Sequence, residues 1–122
     1  MFEHKPDALG DSQHEIINLL HRYIEQNLHR DLSLTHLASI VYLNRSYLSR
    51  LYKQRTGVSL SVYITEARIT MAKHLLTETE HRIQDIVLCI GFESSSYFAH
   101  FFKRITGMTP LEYRNKKRRH VL

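Results

Sequence analysis

The sequence predicts an all-α protein: two similar helical lobes joined by a long linker helix, about seven helices in all. Three observations lead there. Four glycines and two prolines in 122 residues are too little turn punctuation for a many-stranded architecture. Apolar residues recur at spacings of three and four, between side chains suited to capping helices. A block of the sequence also returns fifty residues later.

Taken in order, residues 1–11 carry Pro6 and Gly10 and no apolar period, and read as a flexible lead-in. A helix is expected from Ser12 or Gln13, with Ile16, Ile17, Leu20, Tyr23, Ile24 and Leu28 on one face. Ser33 is placed to cap a short helix bearing Leu34, Leu37, Ala38 and Val41. Asn44 is placed to cap the next, whose inner face is Leu48, Leu51 and Tyr52, and Gly57 stands where a left-handed C-cap is wanted. That completes a first lobe over residues 12–58.

Ser59 opens a linker helix over 59–77, with Val62, Tyr63, Ala67, Ile69, Ala72, Leu75 and Leu76 as its apolar set. Seventeen or so residues at ~1.5 Å each give a rod of about 25 Å. The second lobe, 80–115, starts with a short helix carrying Ile83, Ile86, Val87 and Ile90, broken at Gly91. Ser94 caps the following helix, with Phe98, Phe101, Phe102 and Ile105 expected inward and Gly107 at its end. Thr109-Pro110 is a capping residue followed by proline at the first helical position, so a last helix starts there. Residues 116–122 form a basic tail.

The repeat aligns residues 44–57 with 94–107: Ser46, Tyr47, Lys53, Thr56 and Gly57 meet Ser96, Tyr97, Lys103, Thr106 and Gly107 in register. Upstream the offset is 49, with Leu37-Ala38 on Ile86-Val87 and Val41 on Ile90, so one residue is inserted around 91–93. Two copies are too few for a solenoid. Each copy is helix, tight turn, helix, which is the helix-turn-helix shape.

In such a unit one face of the second helix packs on the lobe and the opposite face enters a DNA major groove. In the first copy the opposite face is Ser46, Ser49, Arg50 and Lys53, with no acid. Arg50 is long enough for two hydrogen bonds to guanine. Ser46 and Ser49 permit close approach, Arg45 lies at the helix start, and Lys53 suits a phosphate, as does Asn44. In the second copy Ser95, Ser96, Ala99 and His100 are the expected base contacts, His100 taking the place of Arg50. The Ala99 methyl suits thymine, while Lys103 and Arg104 suit phosphates. Lys116 and Lys117 are further phosphate candidates. With fewer long donors in the second copy, the first is expected to supply most base discrimination. Tyr47 and Tyr97, beside inward positions, are expected in the core.

The charge points the same way. Residues 1–31 hold three basic and six acidic residues, a balance of −3; residues 32–122 hold fourteen and six, a balance of +8. A basic body suits a polyanion.

The stretch Ile86-Val87, Ile90-Gly91-Phe92, Ser96-Tyr97-Phe98, Phe102-Lys103, Gly107, Pro110 and Tyr113-Arg114 resembles the DNA-binding domain of the AraC/XylS family of bacterial transcription regulators. Arg68-Ile69, Ala72 and Leu75-Leu76 of the linker fit as well, so the resemblance covers about residues 14–115. It implies two homeodomain-like helix-turn-helix lobes, sequence-specific binding to promoter DNA at an asymmetric site, contact with RNA polymerase, and an upstream sensor or receiver in a longer protein. Residues 43–51 are similar to the branch fused to response-regulator receivers. Val87 stands where the family usually has alanine, and Ala99-His100 where a small polar residue and arginine often occur.

Other classes are less well served. Nine histidines are scattered, with no i, i+4 pair and none beside a glutamate in a zinc-protease pattern. There is no glycine-rich phosphate loop and no paired-carboxylate site, so no enzyme, catalytic residue, metal or cofactor is expected. Cys89, on an apolar helix, is expected as a small core residue. No apolar run is long enough for a membrane span and no secretion signal is visible, which suggests the cytoplasm. The rivals are a protein-interaction module with a basic face and a nonspecific nucleic-acid binder.

Overall fold

The computed structural model describes the backbone of residues 5–119 and the side chains of 12–118. It contains seven helices and, among the described residues, no strand. They are α1 (Lys5–Gln26), α2 (Leu34–Ile40), α3 (Arg45–Thr56), α4 (Leu60–Glu78), α5 (Ile83–Cys89), α6 (Ser95–Thr106) and α7 (Pro110–Arg119). The chain divides into two units: residues up to 27 with 31–64, and residues 28–30 with 65 onward.

Local chemistry sets the helix ends. The Ser33 hydroxyl accepts from the His36 amide at 3.2 Å, and the Ser59 hydroxyl from the Val62 amide at 3.3 Å. Each satisfies a donor that the first helical turn leaves unpaired. At α7 the arrangement is reciprocal: Thr109 Oγ1 accepts from the Glu112 amide and Glu112 Oε1 from the Thr109 amide. Hydrogen bonding with the Thr109 backbone and then with its side chain, and secondarily Lys103, hold the Glu112 carboxyl below its ordinary value. Gly57 and Gly107 end α3 and α6 at φ of 84° and 82°. The residues just before them are equivalent too: Thr56 and Thr106 donate back to the carbonyls of Tyr52 and Phe102.

In the first unit α2 and α1 both pack on α3. Ile17, Leu20, Ile24, Leu37, Ala38, Val41, Leu48, Leu51, Tyr52, Leu60 and Ile64 are buried there. In the second unit α5 and α7 pack on α6. Its core joins Ile69, Ala72 and Leu76 of α4 to Ile86, Val87, Ile90, Phe98 and Phe102. The two fully buried phenylalanines contribute about 2–3 kcal/mol each by area. Guanidinium groups close the carbonyl ends of this unit. Arg68 donates to Leu28 O and Arg30 O, and Arg114 to Leu76 O and Thr79 O.

The two turns share one hydrogen-bond pattern at an offset of 49. Val41, Tyr42 and Leu43 donate to the carbonyls of Leu37, Ser39 and Ala38; Ile90, Gly91 and Phe92 donate to those of Ile86, Leu88 and Val87. The inserted residue is therefore Glu93. Tyr42 and Gly91 are the equivalent left-handed positions, at φ 58° and 78°. Tyr42 is 94% exposed, so no burial offsets the strain of an L-residue there. Tyr42→Gly is expected to stabilise the protein by roughly 0.5–1 kcal/mol, the relief of strain exceeding the added flexibility of the unfolded chain. A higher urea midpoint at unchanged slope is the check.

A polar aromatic cluster distinguishes the first unit. His21 Nε2 meets the buried Tyr52 hydroxyl at 2.8 Å, and its ring stacks on Tyr63 at 4.1 Å. Tyr63 donates to Glu25 at 2.6 Å, and its phenol is pushed well above the ordinary range by burial first and then by Glu25. In the second unit the matching ring pair is Phe102 with Tyr113, 5.3 Å apart. Burial holds the His21 imidazole below its ordinary 6.5, with Glu25 opposing. As pH falls, the unfolded chain therefore takes up this proton first. The stability is complete above the ordinary value and is lost as pH falls from there through the lower folded value. The thermal midpoint is expected to drop between pH 7.5 and 5.5, and to drop less in His21→Gln. Parallel profiles would remove His21 as the source.

Several expectations need correction. Helix α1 begins at Lys5, before the apolar pattern, so residues 5–11 of the expected lead-in are helical; Pro6 fits a first turn, where its missing amide donor is not needed. Residues 1–4 lie outside the described residues. Helix α7 runs on to Arg119, so 116–119 continue it, and 120–122 are outside the description. Cys89 is exposed: Ile86, Val87 and Ile90 set the buried face of α5, and Leu88 and Cys89 fall opposite. Ile105, one residue from the end of α6, is also exposed, although its spacing from Phe98 and Phe102 puts it on the inner stripe. On α4 the buried set begins with Leu60 and Ile64, leaving Val62 exposed. Tyr47 and Tyr97 lie outside the core, 40% and 54% exposed.

Candidate nucleic-acid interface

The candidate residues fall on α3 in the first unit and on α6 and α7 in the second. The register of α3 is fixed at both ends. Asn44 Oδ1 accepts from the amides of Ser46 and Tyr47 at 2.8 and 3.2 Å, and Gly57 donates to Lys53 O in the left-handed conformation. Leu48, Leu51 and Tyr52 then point inward. Ser46, Arg50 and Lys53, at spacings of four and three, form the opposite stripe, and all three are exposed. Ser49 lies on one flank, beside a small depression of about 150 Å³ that Leu32, Leu37, Ser59 and Ser61 also line. Arg45 is exposed at the first helical position. Asn44 occupies its carbonyl oxygen in capping, so only its amide nitrogen remains for another partner.

Helix α6 repeats this arrangement. Ser94 Oγ accepts from the Tyr97 amide at 3.1 Å, Phe98 and Phe102 are buried, and Ser96, His100 and Lys103 form the exposed stripe. Ser95 is exposed at the first helical position, while Ala99 is half-buried, so its methyl is less accessible than the sequence suggested. Arg104 is exposed and sits over the Phe101 ring at 5.1 Å. On α7 Lys116 and Lys117 are exposed, and the Lys117 ammonium lies 5.5 Å from the centre of the Tyr113 ring. Arg118 is committed to Glu80 and to the Thr79 carbonyl.

The stripes differ in charge. Arg50 has no hydrogen-bond or ion-pair partner among the described residues. Lys103 has the Glu112 carboxylate within electrostatic reach, whereas the position equivalent to Glu112 in the first unit is Val62. Sequence reasoning missed Glu112 because it read each helix face alone. Thr109 and Glu112, three apart, are a visible capping-box signal that could have found it. It also missed the exposure of Tyr47 and Tyr97. Among the described residues no three His, Cys, Asp or Glu side chains stand together as a metal site, and no helix is long and apolar enough to cross a membrane.

Comparison with known proteins bears on this arrangement. Residues 37–116 match a family profile described as a helix-turn-helix domain. The chain is 37% identical over 102 residues to the transcriptional activator RhaR of Yersinia pseudotuberculosis, covering 84% of this chain and 35% of that one. Among solved structures it is similar to the C-terminal domain of AraT, a response regulator from Geobacillus stearothermophilus. The TM-score is 0.78 and the identity 32%, covering 83% of this chain and 84% of that one. It is also similar to a transcriptional regulator from Chromobacterium violaceum, described among AraC-type DNA-binding domain-containing proteins. There the TM-score is 0.74 and the identity 31%, covering 91% and 96%. The chain spans less than half the length of the curated relatives it matches.

Proposed function

The chain belongs to the AraC-type helix-turn-helix family, and from that premise we propose that it binds duplex DNA sequence-specifically, α3 and α6 each entering a major groove, and so regulates transcription. The observation that carries this reading is the repeated exposed stripe, Ser46-Arg50-Lys53 and Ser96-His100-Lys103, on two helices locked in register at both ends. A capped helix with a packed face and an opposite face of short hydroxyls and long cations suits base edges flanked by phosphates.

In this reading Arg45, Ser46, Ser49 and Arg50 contact bases from α3, and Ser95, Ser96, Ala99 and His100 from α6. Asn44, Lys53, Lys103, Arg104, Lys116 and Lys117 contact phosphates. The first unit supplies most of the discrimination, because Arg50 can form a two-pronged bond to guanine, whereas Ala99 is half-buried and Glu112 lowers the local positive potential at Lys103. The longer relatives support an upstream sensor, and the similarity to a response regulator's C-terminal domain supports a receiver. RNA polymerase is the proposed protein partner, the cytoplasm the proposed location, and no catalysis is assigned.

Selection of binding sites from random duplex, followed by titration, tests the reading. A selected site should be preferred about 10³-fold or more over random duplex. Salt-sensitive binding without that ratio would indicate a nonspecific binder, and binding to neither would indicate a protein-interaction module.

A further inference from the structure

We propose that Tyr47 and Tyr97 are a matched pair of phosphate anchors, each donating its hydroxyl to the DNA backbone beside the recognition stripe of its own unit. The proposal rests on the reading of α3 and α6 given above.

Four observations carry it. Both tyrosines occupy the third position of their helix, and both amides are held by the capping side chain, Asn44 or Ser94. Their placement is therefore equally well fixed. Each lies three residues before the centre of its stripe, so the ring stands next to Arg50 or His100 on the helix surface. The N-terminal turn of a recognition helix is the part that sits deepest in the groove, and a side chain flanking it meets the groove wall, which is phosphate.

The rings also have the right division of polarity. The base of Tyr97 packs on Phe92 and Phe101, with centroids 5.8 and 6.0 Å away, yet more than half the residue is exposed. Its hydroxyl has no hydrogen-bond partner among the described residues. Among the described residues the Tyr47 hydroxyl is approached only by Gln13 Nε2, at a long 3.4 Å, in which it is the acceptor; its own proton is not used in that bond. A ring anchored as that of Tyr97 is, with a free donor at its tip, suits a contact made at low cost in conformational entropy.

Finally, the repeat discriminates between structural and functional identity. Thr56 and Thr106 are explained by their bonds to the carbonyls at 52 and 102, and Gly57 and Gly107 by left-handed caps. The shared Ser and Lys lie on the stripes. Packing neighbours have drifted: Leu51 is Phe101 in the second copy, and Tyr52 is Phe102. Neither core requires the tyrosine hydroxyl, yet both copies keep it.

Tyr47→Phe and Tyr97→Phe, made singly in the full chain, test this against a selected duplex and a set of the same duplex carrying one methylphosphonate at each backbone position in turn. Each variant should bind the unmodified duplex about three- to ten-fold more weakly, as expected for the net worth of one hydrogen bond at a solvated site. The thermal midpoint and the order of base preference should be unchanged. At one backbone position per tyrosine, the wild type should fall to the affinity of the variant, and the variant should lose nothing more. Wild-type affinity in both Phe variants, with Arg50→Ala still weakened, would overturn the anchors and leave the recognition reading intact. A loss in the Phe variants that no methylphosphonate abolishes would place the hydroxyl's role inside the protein. If Arg50→Ala too bound as wild type, the recognition reading itself would fall.

Discussion

Gly91→Ala is expected to destabilise the protein by about 3 kcal/mol or more, and Gly57→Ala and Gly107→Ala by only about 1 kcal/mol each. The three glycines share a left-handed backbone, with φ of 78°, 84° and 82°, so the conformational cost of a side chain is nearly equal at each. They differ in what the added methyl would meet. At Gly57 and Gly107 nothing lies within 4 Å; at Gly91 a Cβ would stand 2.2 Å from the carbonyl oxygen of Leu28 and 3.0 Å from the Arg68 guanidinium. Arg68 is a long side chain and has room to adjust. The Leu28 carbonyl does not, because it is backbone and accepts from Arg68 Nε. The methyl therefore has to displace a main-chain segment or open the turn between α5 and α6. Urea denaturation of the three variants provides an internally controlled comparison. A Gly91→Ala loss no larger than that of Gly57→Ala would mean that the close approach carries no energy.

This contrast also shows what the sequence reveals and what it conceals. Helix ends are governed by neighbours along the chain, so Ser33, Asn44, Ser59, Ser94 and Thr109-Pro110 mark the starts by residue type alone, and Gly57 and Gly107 mark two of the ends. The buried face of α1 is equally legible, because Ile17, Leu20 and Ile24 keep one period. Helix α4 is harder. It buries Leu60 and Ile64 in one unit and Ile69, Ala72 and Leu76 in the other, so one stripe over its whole length does not describe it. The reason for Gly91 is not visible in the sequence at all, since its neighbour is Leu28, sixty-three residues earlier. In the candidate interface the stripe residues are legible from spacing alone. The tyrosines are not, because a position between the inner and outer faces of a twelve-residue helix can be covered or left open, and only the packed neighbours decide which.

Arg50→Ala should weaken binding to a selected duplex by roughly ten- to a hundred-fold, the equivalent of a lost two-pronged contact worth about 1–3 kcal/mol, and should flatten the base preference at one position. The structure points to this arginine by its place and by its uncommitted side chain. Arg55 is held by the Gln13 side chain, Arg68 and Arg114 by main-chain carbonyls, Arg82 by Asp85, and Arg118 by Glu80. Arg50 has no such partner among the described residues and stands midway along the exposed stripe of α3, with Ser46 and Lys53 on either side. Its reach and planar donor fork are therefore available for a ligand. Arg50→Lys separates charge from shape: it should keep most of the salt dependence, which counts phosphate neutralisation, while losing the discrimination that needs two parallel donors. His100→Ala should cost less, because the imidazole is shorter and cannot present that donor fork. Titrating all three variants against duplexes varied one position at a time decides the matter. If Arg50→Ala keeps its order of base preferences and merely binds all sequences more weakly, Arg50 is a phosphate contact. The reading of sequence by the first unit would then have to pass to Ser46, Ser49 and Arg45.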